Sequence, residues 1–192
     1  MKIAFIGSYE PRECGIGTFT RNLYLSMTEG GKNEGIVVAM DDQEDSYDYP
    51  PEVKLTIQQQ QQGDYIEAAR FINLSGADIC ILEHEFGIFG GQSGVFILPL
   101  LHRLEIPLVV TLHTVLKNPS YNEKAITAEI CKMAAKVVVM SHKAVAFLTE
   151  IYNVPQSSIC LIEHGVPDLK FSHELSKKEF KLEAKKVVLT FG

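Results

Sequence analysis

The chain holds 192 residues, 46% of them hydrophobic, which is enough for one well-packed domain and a little more. Its formal charge of −6 argues against broad nucleic-acid binding, because engaging phosphates takes a positive field; backbone N–H groups still allow small phosphorylated ligands. No signal peptide is visible and no apolar run reaches the roughly 20 residues of a membrane span, so a soluble, cytoplasmic chain is expected.

Apolar, β-rich runs recur along the chain. They are expected as strands at Lys2–Ile6, Gly35–Met40, Val53–Ile57, Asp78–Leu82, Pro107–Leu112, Lys136–Met140 and Ser158–Ile162. Most are continuously apolar rather than alternating, the mark of strands covered on both faces in a parallel sheet. The segments between them read as helices. In Thr18–Thr28, Phe19, Leu23 and Met27 form an apolar stripe. Asp64 can cap a helix running to Leu74, with Ile66, Ala69, Phe71 and Ile72 facing inward. Val95–Leu104 is expected to be helical despite Pro99, with strand as the other reading; Asn122–Ala135 and His142–Tyr152 are expected to be helical too. The expected fold is α/β, a doubly wound, mostly parallel sheet of about seven strands, Rossmann-like.

Other stretches punctuate this alternation. The acidic Asp41–Pro51 reads as a solvated surface loop, and the glutamine run Gln58–Gln62 as a strand end and loop. Cys14, Cys80, Cys131 and Cys160 form no C-x-x-C pair and read as buried free thiols in a reducing compartment. Beyond Pro167 the chain turns charged before "VVLTFG". Residues 1–166 are therefore expected to form one domain and 167–186 a linker. Residues 187–192 then read as the first strand of a second, truncated domain; a strand added to the sheet edge is the other reading.

Ligands of an open parallel sheet gather beyond the carboxyl ends of its strands. Four of the six histidines, His84, His113, His142 and His164, fall at such ends, beside Glu83, Glu85, Phe86, Gly87, Ser141 and Gly165. Each alone is an ordinary hydrogen-bonding residue; together they point to one polar rim. A metal has no support from local spacing such as H-E-x-x-H, so none is expected. "FGGQSGVF" lacks the G-x-S-x-G elbow of a serine hydrolase.

Glycine-bearing stretches adjoin that rim. In "YEPRECGIGTFTRNL" no Lys follows Gly17, so a P-loop is excluded, and Thr20 stands where a dinucleotide fingerprint has its third glycine. An oxidoreductase using Asp41 or Asp42 on a ribose is correspondingly weak. Instead the N–H groups of Ile16, Gly17 and Thr18 can face a ligand at a helix start, or the stretch is only a flexible turn with Gly15 serving the entry bend. In "EHEFGIFGGQSG", Gly90 and Gly91 allow either positive φ with close ligand approach or a tight crossover into the next helix.

Together, "PRECGIGTFTRNL", "EHEFGIFGG", "VVTLHT", "VVVMSHKAVAFL" and "ICLIEHGVP" resemble the N-terminal domain of the GT-B-fold retaining glycosyltransferases of glycosyltransferase family 4. The resemblance covers nearly the whole chain, through the order and spacing of the pieces. It implies a two-domain enzyme that moves a sugar from a nucleotide-sugar to a saccharide or small-molecule acceptor with retention, with no further cofactor. It implies that Gly15–Gly17 approach the donor diphosphate and that His113 contacts the transferring sugar. Ser141 and His142 would line the cleft, and Glu83–Gly87 would shape the acceptor side. The family's C-terminal E-x7-E glutamates are not in this sequence, so the missing C-terminal domain would have to complete the site and the chain alone should not turn over. A non-catalytic saccharide- or nucleotide-binding domain is the other reading.

Overall fold

The computed structural model describes residues 1–42, 47–165 and 177–188. Strands β1 (Lys2–Gly7), β2 (Glu34–Asp41), β3 (Val53–Gln58), β4 (Ile79–His84), β5 (Leu108–Leu112), β6 (Lys136–Val139) and β7 (Ile159–Leu161) form one sheet in the order β3-β2-β1-β4-β5-β6-β7. Every neighbouring pair is parallel. All seven expected strands are present, and the continuous apolarity has its cause in double-sided burial. Along β1, Ala4 and Ile6 enter one core while Ile3 and Phe5 enter a second core on the opposite face, all at 0% exposure. β2 divides likewise, with Val38 and Met40 on one side and Val37 and Ala39 on the other.

The connecting helices are α1 (Gly15–Thr28), α2 (Gln62–Leu74), α3 (Ile97–Leu101), α4 (Tyr121–Met133) and α5 (His142–Glu150). α4 opens with a capping box, the Ser120 hydroxyl accepting from the Glu123 N–H and the Glu123 carboxylate from the Ser120 N–H. α5 opens on Ser141, whose hydroxyl accepts from the Ala144 N–H at 3.2 Å.

Several expectations are corrected. α1 starts at Gly15, a turn before Thr18. Asp64 is not the cap of α2: it lies inside the first turn, and its carboxylate accepts from the Gln58 N–H at 3.0 Å, tying the helix to the end of β3. Ile66 is 38% exposed, because it shares the outer face of α2 with Arg70 and Leu74 rather than the core face of Ala69 and Ile72. α3 is only five residues long and takes Pro99 within its first turn, where no N–H is needed. Asp41 belongs to β2 and is fully buried, its main-chain oxygen accepting from Gln59 N–H at 2.8 Å. Tyr47, Asp48 and Tyr49 continue the acidic segment; residues 43–46 lie outside the described residues.

Of the expected linker and final strand, residues 167–176 and 189–192 lie outside the described residues. Val187 and Val188 are exposed and in no strand among the described residues. All four cysteines are free thiols; Cys80 and Cys131 are buried, Cys14 and Cys160 only half-buried. Burial pushes the thiols of Cys80 and Cys131 up to about 12.

Candidate functional site

Because all seven strands run the same way, their carboxyl ends share one edge. The strand order reverses between β1 and β4, and a crevice opens at such a reversal. The loop after β1 leads into α1 on one side of it, and β4 ends in Glu83 and His84 on the other.

The start of α1 is uncovered. Cys14 takes the N-cap position in extended geometry and offers no side-chain bond, and the first turn holds no acidic residue. Among the described residues, nothing accepts from the N–H groups of Gly15, Ile16 and Gly17. Thr18, expected to be free as well, is not: its N–H donates to Cys14 O at 3.1 Å, the first bond of the helix, and its hydroxyl to the Glu10 carboxylate at 3.1 Å. Unpaired amides and the positive end of the helix dipole favour an anion here. The two glycines differ. A Cβ on Gly17 would stand 3.2 Å from Arg12 O, so Gly17 lets the loop fold onto the helix. A Cβ on Gly15 would meet nothing within 4 Å.

One turn along α1, Phe19 leaves the stripe it was expected to share with Leu23 and Met27. Those two pack on the second core. Phe19 instead meets two imidazoles edge-to-face, His113 at 4.8 Å and His164 at 5.4 Å between ring centroids. It thereby joins the uncovered helix start to the ends of β5 and β7. Its apolar periodicity is the signature of a core residue, so sequence gave no sign of this role.

Beneath this cluster lies Glu83, fully buried. Its Oε2 is 2.8 Å from His113 Nε2, and its Oε1 accepts from the Thr111 hydroxyl at 3.2 Å. His84 is fully buried too, stacked on Phe89 and edge-on to Phe86, with both ring nitrogens unpaired among the described residues. Burial, with the nearby His113 as a smaller cause, lowers His84 from 6.5 to about 4, so it is a neutral ring at physiological pH. Glu83 and His84 thus underlie the rim rather than line it. Glu85 is held closer to the surface, accepting from the Thr114 hydroxyl and the Phe86 N–H. Gly87 is exposed, and a Cβ there would meet nothing.

His113 and Thr114 line a hollow of about 300 Å³ with Ser141, Lys143, Met140 and Phe147, between β5, β6 and the start of α5. His142 is exposed at the first position of α5, beside this hollow but not in its lining. His164 and Gly165 are exposed, with His164 Nδ1 2.7 Å from Gly165 O. A second hollow of about 510 Å³, lined by Pro11, Arg12, Glu13, Cys14, Asp42 and Tyr47, adjoins the other side of the helix start. There Arg12 pairs with Asp42 at 3.0 Å, so the acid suggested for a ribose is held by a guanidinium. The structure therefore gathers Gly15–Gly17, His113, His164 and Ser141 at one edge.

The glycine-rich segment after β4 follows its packing alternative. A Cβ on Gly90 would lie 1.8 Å from Gln59 O, and Gly91 and Gly94 take φ of +74° and +76°. The Gly90 N–H donates to Tyr65 Oη at 2.8 Å, which donates to Gln59 O at 2.9 Å. The Gln59 side chain donates to Gly87 O at 2.9 Å. The glutamine run, uninformative as a sequence, is the seat of this segment.

A family model described as Glycosyltransferase Family 4 matches residues 15–168. No curated protein matches the sequence. Among solved structures, an alpha-glucosyltransferase in complex with UDP and a 13-mer DNA containing a central A:G mismatch has a TM-score of 0.51 at 16% identity, over 74% of this chain and 37% of that one. An alpha-glucosyltransferase in complex with UDP and a 13-mer DNA containing a HMU base has a TM-score of 0.51 at 17% identity, over 73% and 36%. The chain thus spans little more than a third of the length of the structures it matches, and at such identity the likeness is one of fold. Among the described residues no helix is long and apolar enough to cross a membrane, and no cluster of three His, Cys, Asp or Glu could hold a metal ion.

Proposed function

The chain belongs to glycosyltransferase family 4, and from that premise we propose that it supplies one wall of a cleft in which a sugar passes from a nucleotide-sugar to an acceptor with retention of configuration. The observation that carries this reading is the convergence at the β1–β4 reversal: three unpaired amides of α1 stand one turn from Phe19, whose ring contacts His113 and His164. Breaking a glycosyl–phosphate bond builds negative charge on the departing diphosphate. Fixed amides at a helix start meet that charge without reorganising. His113 orients the sugar through a hydroxyl, and Ser141 and Lys143 border the space beside it. In front-face attack the leaving phosphate takes the acceptor's proton, so this wall needs no carboxylate nucleophile.

On this reading, residues 1–166 form the acceptor-side domain and 167–186 a linker. A second domain, entered at residues 187–192, holds most of the nucleotide. The acceptor is a saccharide or small molecule, and no cofactor beyond the donor substrate takes part. Because the matched transferases are complexed with DNA, the charge of this chain does not alone remove nucleic acid from the acceptors to be tried. Calorimetric titration of the two-domain protein with UDP-, GDP- and ADP-sugars tests the proposal. Saturable binding of one donor is expected; heat of dilution alone with all three would end the enzyme reading.

A further inference from the structure

Glu83 has no route to solvent, yet it carries a carboxylate. Such a group is tolerated only when its oxygens are engaged. Oε1 takes the Thr111 hydroxyl and Oε2 takes His113 Nε2 at 2.8 Å. When Glu83 is ionised its carboxylate only accepts, and the proton in the second bond then belongs to the imidazole. When the ring is neutral, as in alkaline buffer, it has one N–H, and Nδ1 is then a bare acceptor. Nδ1 has no partner among the described residues and is not among the sealed unpaired atoms, unlike both nitrogens of His84. It is the unsealed ring nitrogen of a residue that lines the hollow beside β5.

We infer that Glu83 is a positioning residue that locks the neutral ring of His113 with its Nε2–H inward and its Nδ1 lone pair facing the cleft, so that the neutral form of the site selects a ligand group that donates a hydrogen bond, such as a sugar hydroxyl. The lock is built from three sides. The edge-to-face contact with Phe19 holds the ring. Thr111 holds the far oxygen of the carboxylate. Gly7 makes room behind it, since a Cβ there would stand 3.0 Å from Glu83 Cβ and 3.2 Å from Thr20 Oγ1. A glutamine at position 83 keeps the shape but can present either its oxygen or its NH2 to Nε2, so it no longer dictates which nitrogen carries the proton. The assignment rests on the proposed function for its purpose but not for its test.

The test is nitrogen NMR of the intact protein with labelled histidine, ligand-free, in alkaline buffer where imidazoles are neutral. His113, assigned by its loss in His113→Asn, is expected to show a protonated Nε2 and a bare Nδ1, and Glu83→Gln to lose that single pattern and mix the two tautomers. A wild-type His113 protonated at Nδ1, or already mixed, overturns the proposal without any variant at position 83. A Glu83→Gln protein that folds and keeps the wild-type pattern overturns it as well. Because no donor is added, failure to bind any nucleotide-sugar would count against the proposed function alone.

Discussion

Two glycine-bearing segments meet at the same edge of the sheet and use glycine in opposite ways. At the start of α1, Gly15 leaves space that no part of the described fold fills. After β4, Gly90, Gly91 and Gly94 let the chain press against Gln59, Phe96 and Phe86. The first segment is open, with unpaired amides; the second is sealed, pinned by Tyr65 and the glutamine run. Glycine content therefore says little about ligands. What separates the two is whether a missing Cβ is needed by the protein itself.

The sealed segment should break hardest. Gly90→Ala drives a Cβ into the Gln59 carbonyl, and relief requires backbone movement; a loss of about 3 kcal/mol or more is expected in urea unfolding. A stable Gly90→Ala protein would show that the segment is looser than its contacts imply. His84, walled in by Phe86 and Phe89, gives a pH test of the same seal. Its ordinary value of 6.5 applies when unfolded, against about 4 when folded. Between those values the unfolded chain binds the extra proton. Stability contributed by the neutral ring is thus complete above pH 6.5 and falls away as pH drops toward 4, by up to about 3 kcal/mol. Urea titrations at stepped pH should show this slope, and His84→Leu should flatten it; an unchanged slope would mean that water reaches the ring.

Within the open segment the two glycines should part company. Gly17→Ala pushes against Arg12 O and Tyr9, and a cost of about 1 kcal/mol is expected by thermal unfolding. Gly15→Ala has free space and a helical position, so stability should hold or rise by about 0.5 kcal/mol. If a donor diphosphate lies against the amides there, the same variant should nonetheless weaken nucleotide-sugar binding in calorimetry. Equal binding by Gly15→Ala and wild type would place the diphosphate elsewhere.

The seven strands, and four of the helices to within a turn or so at most ends, were legible because double-sided burial leaves a continuous apolar run that survives in the linear sequence. α3 was overextended, since only Ile97–Leu101 of the expected ten-residue stretch is helical. Asp41 was misread because an acidic neighbourhood masks one buried strand end. Phe19 and the Gln59 seat were invisible because their partners lie far away in sequence: His113 and His164 for the first, Gly87 and Tyr65 for the second.

By itself, the sequence determined that this is a parallel α/β layer with polar residues after several strands, since hydrophobic periodicity and strand-end chemistry are local properties. Only the tertiary structure decided which of those residues stand at the surface and which beneath it. Glu83, His84 and Glu85 are consecutive, yet two are sealed and one is not. That outcome depends on the pleat of β4 and on what α1, β5 and the following turn lay over it, contacts that a linear order of residues does not contain.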